Sequence, residues 1–202
     1  MHGLINRALQ TFISDTFGLA AWAEIQQRAG ITPLLGPEGF EAMQLYDDSL
    51  TDAVLAAAAA HLRRPRDSLL EDMGTYLIYN ERMEPLRRLL RFGGVSFTDF
   101  LYSLDDLQGR SQLAVPELWL PELTIDEAGA GRFILACRDS RLGFGHVLVG
   151  ILRALADDYG ALVVLEYQDP PADGDDSETI VIEVHDPAFH AGRRFDLAAE
   201  AR

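Results

Sequence analysis

The hydrophobic residues of this chain change period close to Pro116, and that change limits the folds open to it. Before it, apolar positions recur at spacings of three and four, which place side chains on one face of a helix. Leu4, Ile5, Ala8, Leu9, Phe12 and Ile13 form one such stripe, stopping near Gly18. Trp22, Ile25 and Ala29 form a second, closed by Gly30. Gly36-Pro37-Glu38-Gly39 reads as a turn before Phe40, Met43 and Tyr46. Ser49-Leu50-Thr51-Asp52 has capping-box spacing ahead of an alanine-rich helix to Leu62, with aspartate in place of glutamate. Pro65 suits a helix start before Leu69, Leu70, Met73, Tyr76 and Leu77. A further helix over Leu86 to Arg91 ends at Gly93-Gly94, and Ser96 caps the next, with Asp99 in its first turn.

Past Pro116 the apolar residues come as short runs of strand length: Arg132 to Cys137, Leu162 to Tyr167 and Thr179 to Val184. A weaker strand covers Leu118 to Ile125, where Pro121 points to a sheet edge. Between the two pairs, Leu148, Ile151, Leu152, Leu155 and Tyr159 mark an amphipathic helix ended by Gly160, and the acidic stretch PPADGDDSE joins the last two strands as a long hairpin. The expected fold is α+β: a helical N-terminal subdomain followed by ββαββ with an antiparallel sheet. One domain is expected over 1–186, mainly helical over 1–112 and sheet-containing over 113–186. A polar C-terminal tail, 187–202, is expected to fray.

Composition narrows the function classes. The formal net charge of −15 repels phosphate backbones and anionic lipid, so neither nucleic acid nor membrane is an expected partner. The arginines of Arg63-Arg64-Pro65-Arg66 and of the stretch from Pro85 to Arg91 read as solvated helix faces. A single cysteine, Cys137, excludes an internal disulfide and any site built from several thiolates. With no apolar run of spanning length and no signal-peptide pattern in MHGLINRALQTF, a cytoplasmic location is expected. No glycine-rich nucleotide loop, zinc spacing or nucleophile elbow is present, and His2, His61, His146, His185 and His190 are scattered. The chain is therefore not expected to be an enzyme.

One stretch poses a chemical problem. In VSFTDFLYSLDDLQGR, helical spacing puts Phe97, Phe100, Leu101, Leu104 and Gln108 on the same face. A buried amide there needs a partner, because an unmet donor or acceptor costs ~1–3 kcal/mol.

MHGLINRALQTFI, FLYSLDDLQ and CRDSRLGFGHVLVGIL, in that order and spacing, resemble the haem-nitric oxide/oxygen-binding domain family (H-NOX, or HNOB) from Met1 to about Val184. The resemblance implies a non-catalytic gas-sensing domain with haem between two subdomains. It also implies a signalling partner such as a kinase or cyclic-nucleotide enzyme. The family's iron ligand, a histidine, falls on Gln108. Its propionate-holding tyrosine-x-serine-x-arginine falls on Cys137, Asp139 and Arg141, so only the arginine is retained. The proline packed against haem falls on Pro116, the distal tyrosine of oxygen-binding members on His146, and Ile5 and Leu9 fall on the distal wall.

A glutamine amide is a weak iron ligand, and Asp139 places a carboxylate where a propionate carboxylate sits. On a strand, residues 137, 139 and 141 share a face, so Asp139 can pair with Arg141 and withdraw its charge. The leading expectation is thus a sensory or regulatory domain without the family's standard haem ligation, taking a small apolar or amphipathic ligand in the cavity between the subdomains, with Gln108 facing that cavity. One alternative is a haem-based sensor with a non-standard axial ligand such as His146. Another is a scaffolding domain with a filled interior.

Overall fold

His2 begins the first helix: its Nδ1 accepts the amide of Leu4, and α1 runs over Gly3–Phe17. Gly18, with φ of 96°, ends it in a conformation that side-chain-bearing residues avoid, and the chain reverses into α2 (Leu19–Arg28). This computed structural model describes residues 1–36, 38–91, 94–138, 143–170 and 177–192. The remaining helices of the first half are α3 (Asp48–Leu62), α4 (Arg66–Tyr79), α5 (Glu84–Arg91), α6 (Phe97–Tyr102) and α7 (Leu107–Ala114).

Two features of this half differ from the periodicity reading. α3 starts earlier than Ser49, because Asp47 is the cap and accepts the Ser49 amide at 2.9 Å. The expected Ser49–Asp52 box does not form, because the Asp52 carboxylate pairs with Arg66 at 2.7 Å; Thr51, on the buried side of α3, donates its hydroxyl to Asn6 Oδ1 at 2.6 Å. The second difference lies between α6 and α7, where Ser103–Asp106 form a 3₁₀ turn that breaks the single expected helix. Ahead of it the capping box is present, with Ser96 and Asp99 exchanging bonds of 3.1 Å. The Ser96 hydroxyl holds the Asp99 carboxyl below its ordinary pKa.

The second half contains β1 (Glu122–Glu127), β2 (Arg132–Arg138), α8 (Phe144–Tyr159), β3 (Leu162–Gln168) and β4 (Glu178–Asp186). All pairings are antiparallel, in the order β1-β2-β4-β3. Pro121 immediately precedes β1, which is an edge strand. Alternation along β2 buries Phe133, Leu135 and Cys137, and β4 adds Ile180 and Ile182 to the same layer. α8 packs against the sheet on one side and α4 on the other. The helical N-terminal half and four-stranded antiparallel sheet are the α+β architecture expected from the change of period.

The α4–α8 crossing is unusually close. A Cβ at Gly74 would lie 2.1 Å from the Val147 carbonyl oxygen, and one at Gly150 would lie 2.0 Å from that of Glu71. The helices therefore meet backbone to backbone, and Thr75 donates to the Glu71 carbonyl at 3.2 Å and reaches that of Gly150 at 3.4 Å.

The start of the tail is docked rather than frayed. The His190 amide donates to the Gly160 carbonyl at 3.1 Å, and its ring lies 3.5 Å from Asp157. Residues 193–202 of that tail and 171–176 of the expected hairpin lie outside the described residues. Among the described residues, no helix is long and apolar enough to cross a membrane.

Gly74→Ala or Gly150→Ala forces α4 and α8 apart and lowers stability by roughly 1–3 kcal/mol or more. Gly109→Ala, in α7 with open space around its Cα, raises it by roughly 0.5–1 kcal/mol. Urea unfolding of the three variants measures both signs.

Candidate functional site: an apolar cavity between the helical half and α8

A cavity of about 280 Å³ lies between the helical half and α8, close to the lower end of the size range of small-molecule sites. α1 presents Leu4, Ile5, Ala8 and Leu9 to it, and α4 presents Leu70, Met73 and Leu77. The α5 wall is Leu86, Leu89 and Leu90. Opposite stand Phe144, Val147, Leu148, Ile151 and Leu152 of α8. The segment before β1 adds Leu118, Trp119 and Leu120. No strand residue is among the described lining residues.

The few polar groups on this wall have protein partners. Thr51 donates to Asn6, as described, and Ser111 donates to the Gln108 carbonyl at 2.8 Å. α5 is held over the cavity by charge: Arg87 Nε and Nη2 reach Oδ2 of the fully buried Asp158 on α8 at 2.7 and 2.6 Å. Arg91 approaches the same oxygen at 3.7 Å.

The 3₁₀ turn decides which side chains of α6 and α7 meet the cavity. In a 3₁₀ turn residues three apart eclipse, so Leu104 and Leu107 point the same way. One α-helical turn later Ser111 follows, and all three line the cavity. The turn advances each residue by about 20° more than an α-helix does, so Gln108 rotates off the Leu104 face. Gln108 is half-buried and absent from the lining, and its Nε2 donates to the Leu120 carbonyl at 3.0 Å. The expectation that it shares the face of Phe97, Phe100, Leu101 and Leu104 is corrected by this turn.

The other expected site residues are dispersed. Ile5 and Leu9 both line the cavity. Pro116 is exposed, so the wall expected from it comes from Leu118, Trp119 and Leu120, three residues that look like the start of a strand in sequence. Cys137 is buried in β2, opposite Leu123 of β1 and Glu178 of β4, with α8 between the sheet and the cavity. Asp139 and Arg141 lie outside the described residues. His146, at the start of α8, is outside the lining: its ring stacks on Tyr167 with centroids 4.0 Å apart. Its Nδ1 and Nε2 lie 3.6 Å from Glu71 and 3.7 Å from Asp67. Tyr167 donates to Glu178 at 2.7 Å, and burial and that carboxylate push its pKa well above the ordinary value.

Among the described residues, eight α-helices, a four-stranded antiparallel sheet and an apolar cavity between the helical half and α8 make up an H-NOX-type domain. The chain belongs to the Haem-NO-binding (HNOB) family, whose profile matches residues 2–167. The fold is shared with an H-NOX protein from S. oneidensis in the Fe(II)NO ligation state. That likeness has a TM-score of 0.75 at 16% identity, covering 92% of this chain and 100% of the other. Fe(II) unliganded H-NOX from K. algicida also gives 0.75, at 17% identity, covering 92% and 97%. Soluble guanylate cyclase gcy-31 of Caenorhabditis elegans is 25% identical over 170 residues, 84% of this chain and 24% of that protein. Soluble guanylate cyclase 89Db of Drosophila melanogaster is 21% identical over 167 residues, 83% and 24%. The chain thus spans about a quarter of the length of these curated relatives.

Gln108→Ala strips the Leu120 carbonyl of its donor and costs about 1 kcal/mol. Gln108→Glu costs more at neutral pH, since a carboxylate then opposes a carbonyl. That opposition raises the introduced group's folded pKa, so the variant's stability is fully present below the unfolded value of ~4.3 and is lost as pH rises through the folded one. Urea midpoints measured from about pH 3.5 to about pH 7 bracket that value and test the sign.

Proposed function

We propose that this chain is a sensory or regulatory domain of the HNOB family that takes a small apolar molecule in its cavity and does not hold haem in the family's imidazole-ligated way. The character of the cavity wall carries this reading. Among its described residues the soft donors are the thioethers of Met1, Met73 and Met83, with no imidazole, thiol, phenol or carboxylate. Haem ligation draws on an axial imidazole, thiolate, thioether or phenolate, and the propionates call for cations. Gln108 offers an amide already bonded to Leu120, and His146 is engaged by Tyr167, Asp67 and Glu71. The donor set does not suit an imidazole-ligated haem. It suits a molecule recognised by shape and apolar contact, with transfer from water contributing ~25 cal/mol per Å² buried.

Family membership and the alignment with soluble guanylate cyclases support an output through a protein partner, a kinase or cyclic-nucleotide enzyme, rather than chemistry in this domain.

Protein expressed with haem in excess is expected to show no Soret band after purification or hemin addition, and native mass spectrometry is expected to show the polypeptide without haem. A stoichiometric Soret band that survives gel filtration overturns the reading. The apolar fluorophore phenylnaphthylamine is expected to bind at one site and quench Trp119 on the cavity wall. Trp119→Phe removes that response, whereas Trp22→Phe, in the core beside Phe40, leaves it.

A further inference from the structure

We infer that the cavity selects a neutral hydrocarbon somewhat larger than benzene, a molecule with no hydroxyl, carbonyl or charge. The inference rests on the apolar-ligand reading above and narrows it, because this wall penalises hydrogen-bonding groups as well as accepting apolar ones.

The hydrogen-bonding capacity of the wall is spent within the protein. Among the described lining residues the hydroxyls are those of Thr51 and Ser111. Each has one proton to give. Thr51 gives it to Asn6 Oδ1 at 2.6 Å and Ser111 to the Gln108 carbonyl at 2.8 Å. Both residues are only 2% exposed, so their oxygens offer an occupant almost no acceptor surface either. The Met1 ammonium donates to the Tyr46 carbonyl at 2.5 Å and to Asp48. In the segment before β1 the Leu118 amide donates to Val115, the Leu120 carbonyl accepts Gln108, and Trp119 also has a partner. Backbone groups of α1, α4 and α8 are held in helical bonds.

A hydroxyl or carbonyl moved from water into such a space leaves its hydrogen bonds behind and gains none in return, which weakens binding. Water meets the same obstacle, since an enclosed water needs two to four polar partners. A hydrocarbon gives up nothing on entry and gains the burial of its whole surface. Size narrows the class further. An apolar cavity of roughly 150 Å³ lined by Leu, Ile and Phe takes one benzene. The space here is about 280 Å³, with room for alkyl branches or a second ring.

The test is titration calorimetry on the full chain with two pairs of ligands matched in shape. Thymol is p-cymene with one added hydroxyl, and carvone is limonene with one added carbonyl. The hydrocarbon of each pair is expected to bind roughly tenfold or more tightly than its oxygenated partner. Met73→Gln, which sets an amide on the wall in nearly the same shape, is expected to narrow both ratios severalfold while p-cymene still binds. Thymol or carvone binding the wild type as tightly as its hydrocarbon overturns the proposal, needs no variant, and leaves the apolar-ligand reading standing. Failure of p-cymene to bind where phenylnaphthylamine does has the same force. Ratios unchanged in a Met73→Gln protein that still binds p-cymene overturn it too. If neither the hydrocarbons nor the fluorophore bind the wild type, the apolar-ligand reading fails, and the selectivity with it.

Discussion

Where α4 crosses α8, Gly74 and Gly150 bring two helix backbones together with no side chain between them, and the rest of the cavity is spaced from that contact. Both helices continue into the cavity wall, α4 through Leu70, Met73 and Leu77 and α8 through Val147, Leu148, Ile151 and Leu152. Any residue larger than glycine at the crossing wedges the helices apart, because a backbone carbonyl cannot rotate away as a flexible side chain can. α8 also carries the sheet on its other side, so the crossing sets the distance between the helical half and the sheet. The buried Asp158 adds an ionic tie near the far end of α8, drawing Arg87 and Arg91 of α5 onto it. Its contribution is geometric more than energetic, since desolvation offsets much of the attraction in a buried pair.

On the opposite wall the 3₁₀ turn at Ser103–Asp106 does a comparable job for orientation. It eclipses Leu104 with Leu107, turns Gln108 toward the segment before β1, and places Arg110 against α5. The turn is held from outside. Asp105 accepts the Ile125 amide at 2.8 Å, Tyr102 donates to Glu127 at 2.5 Å, and Gln108 donates to Leu120. All three bonds run from one short stretch of wall to the edge strand or its approach.

The change of period near Pro116 was enough to read an α+β chain with an antiparallel sheet, because helix and strand spacing are local properties. The Ser96 cap and the edge position signalled by Pro121 were legible for the same reason. The 3₁₀ turn was not. Ser103-Leu104-Asp105-Asp106 contains no glycine or proline, and the bonds that accompany its tightening go to residues twenty or more positions away. Without the turn, helical spacing put Gln108 on the Leu104 face. The α3 start was misplaced for a similar reason, since Asp52 is drawn to Arg66 rather than to the helix end and Asp47 caps in place of Ser49. The likeness of motifs placed Pro116, Cys137 and His146 around a shared pocket. A motif carries spacing along the chain but says nothing of the stacking partner that takes a ring elsewhere, as Tyr167 takes His146.

Gln108 shows how a side chain turned away from a cavity can still brace its wall. Its amide ties α7 to Leu120. That part of the wall is braced by the chain itself, through one neutral hydrogen bond of about 1 kcal/mol. What that wall offers an occupant is apolar contact along the aliphatic side chains of α1, α4, α5 and α8, which links the packing of the helices to the kind of molecule the cavity can hold.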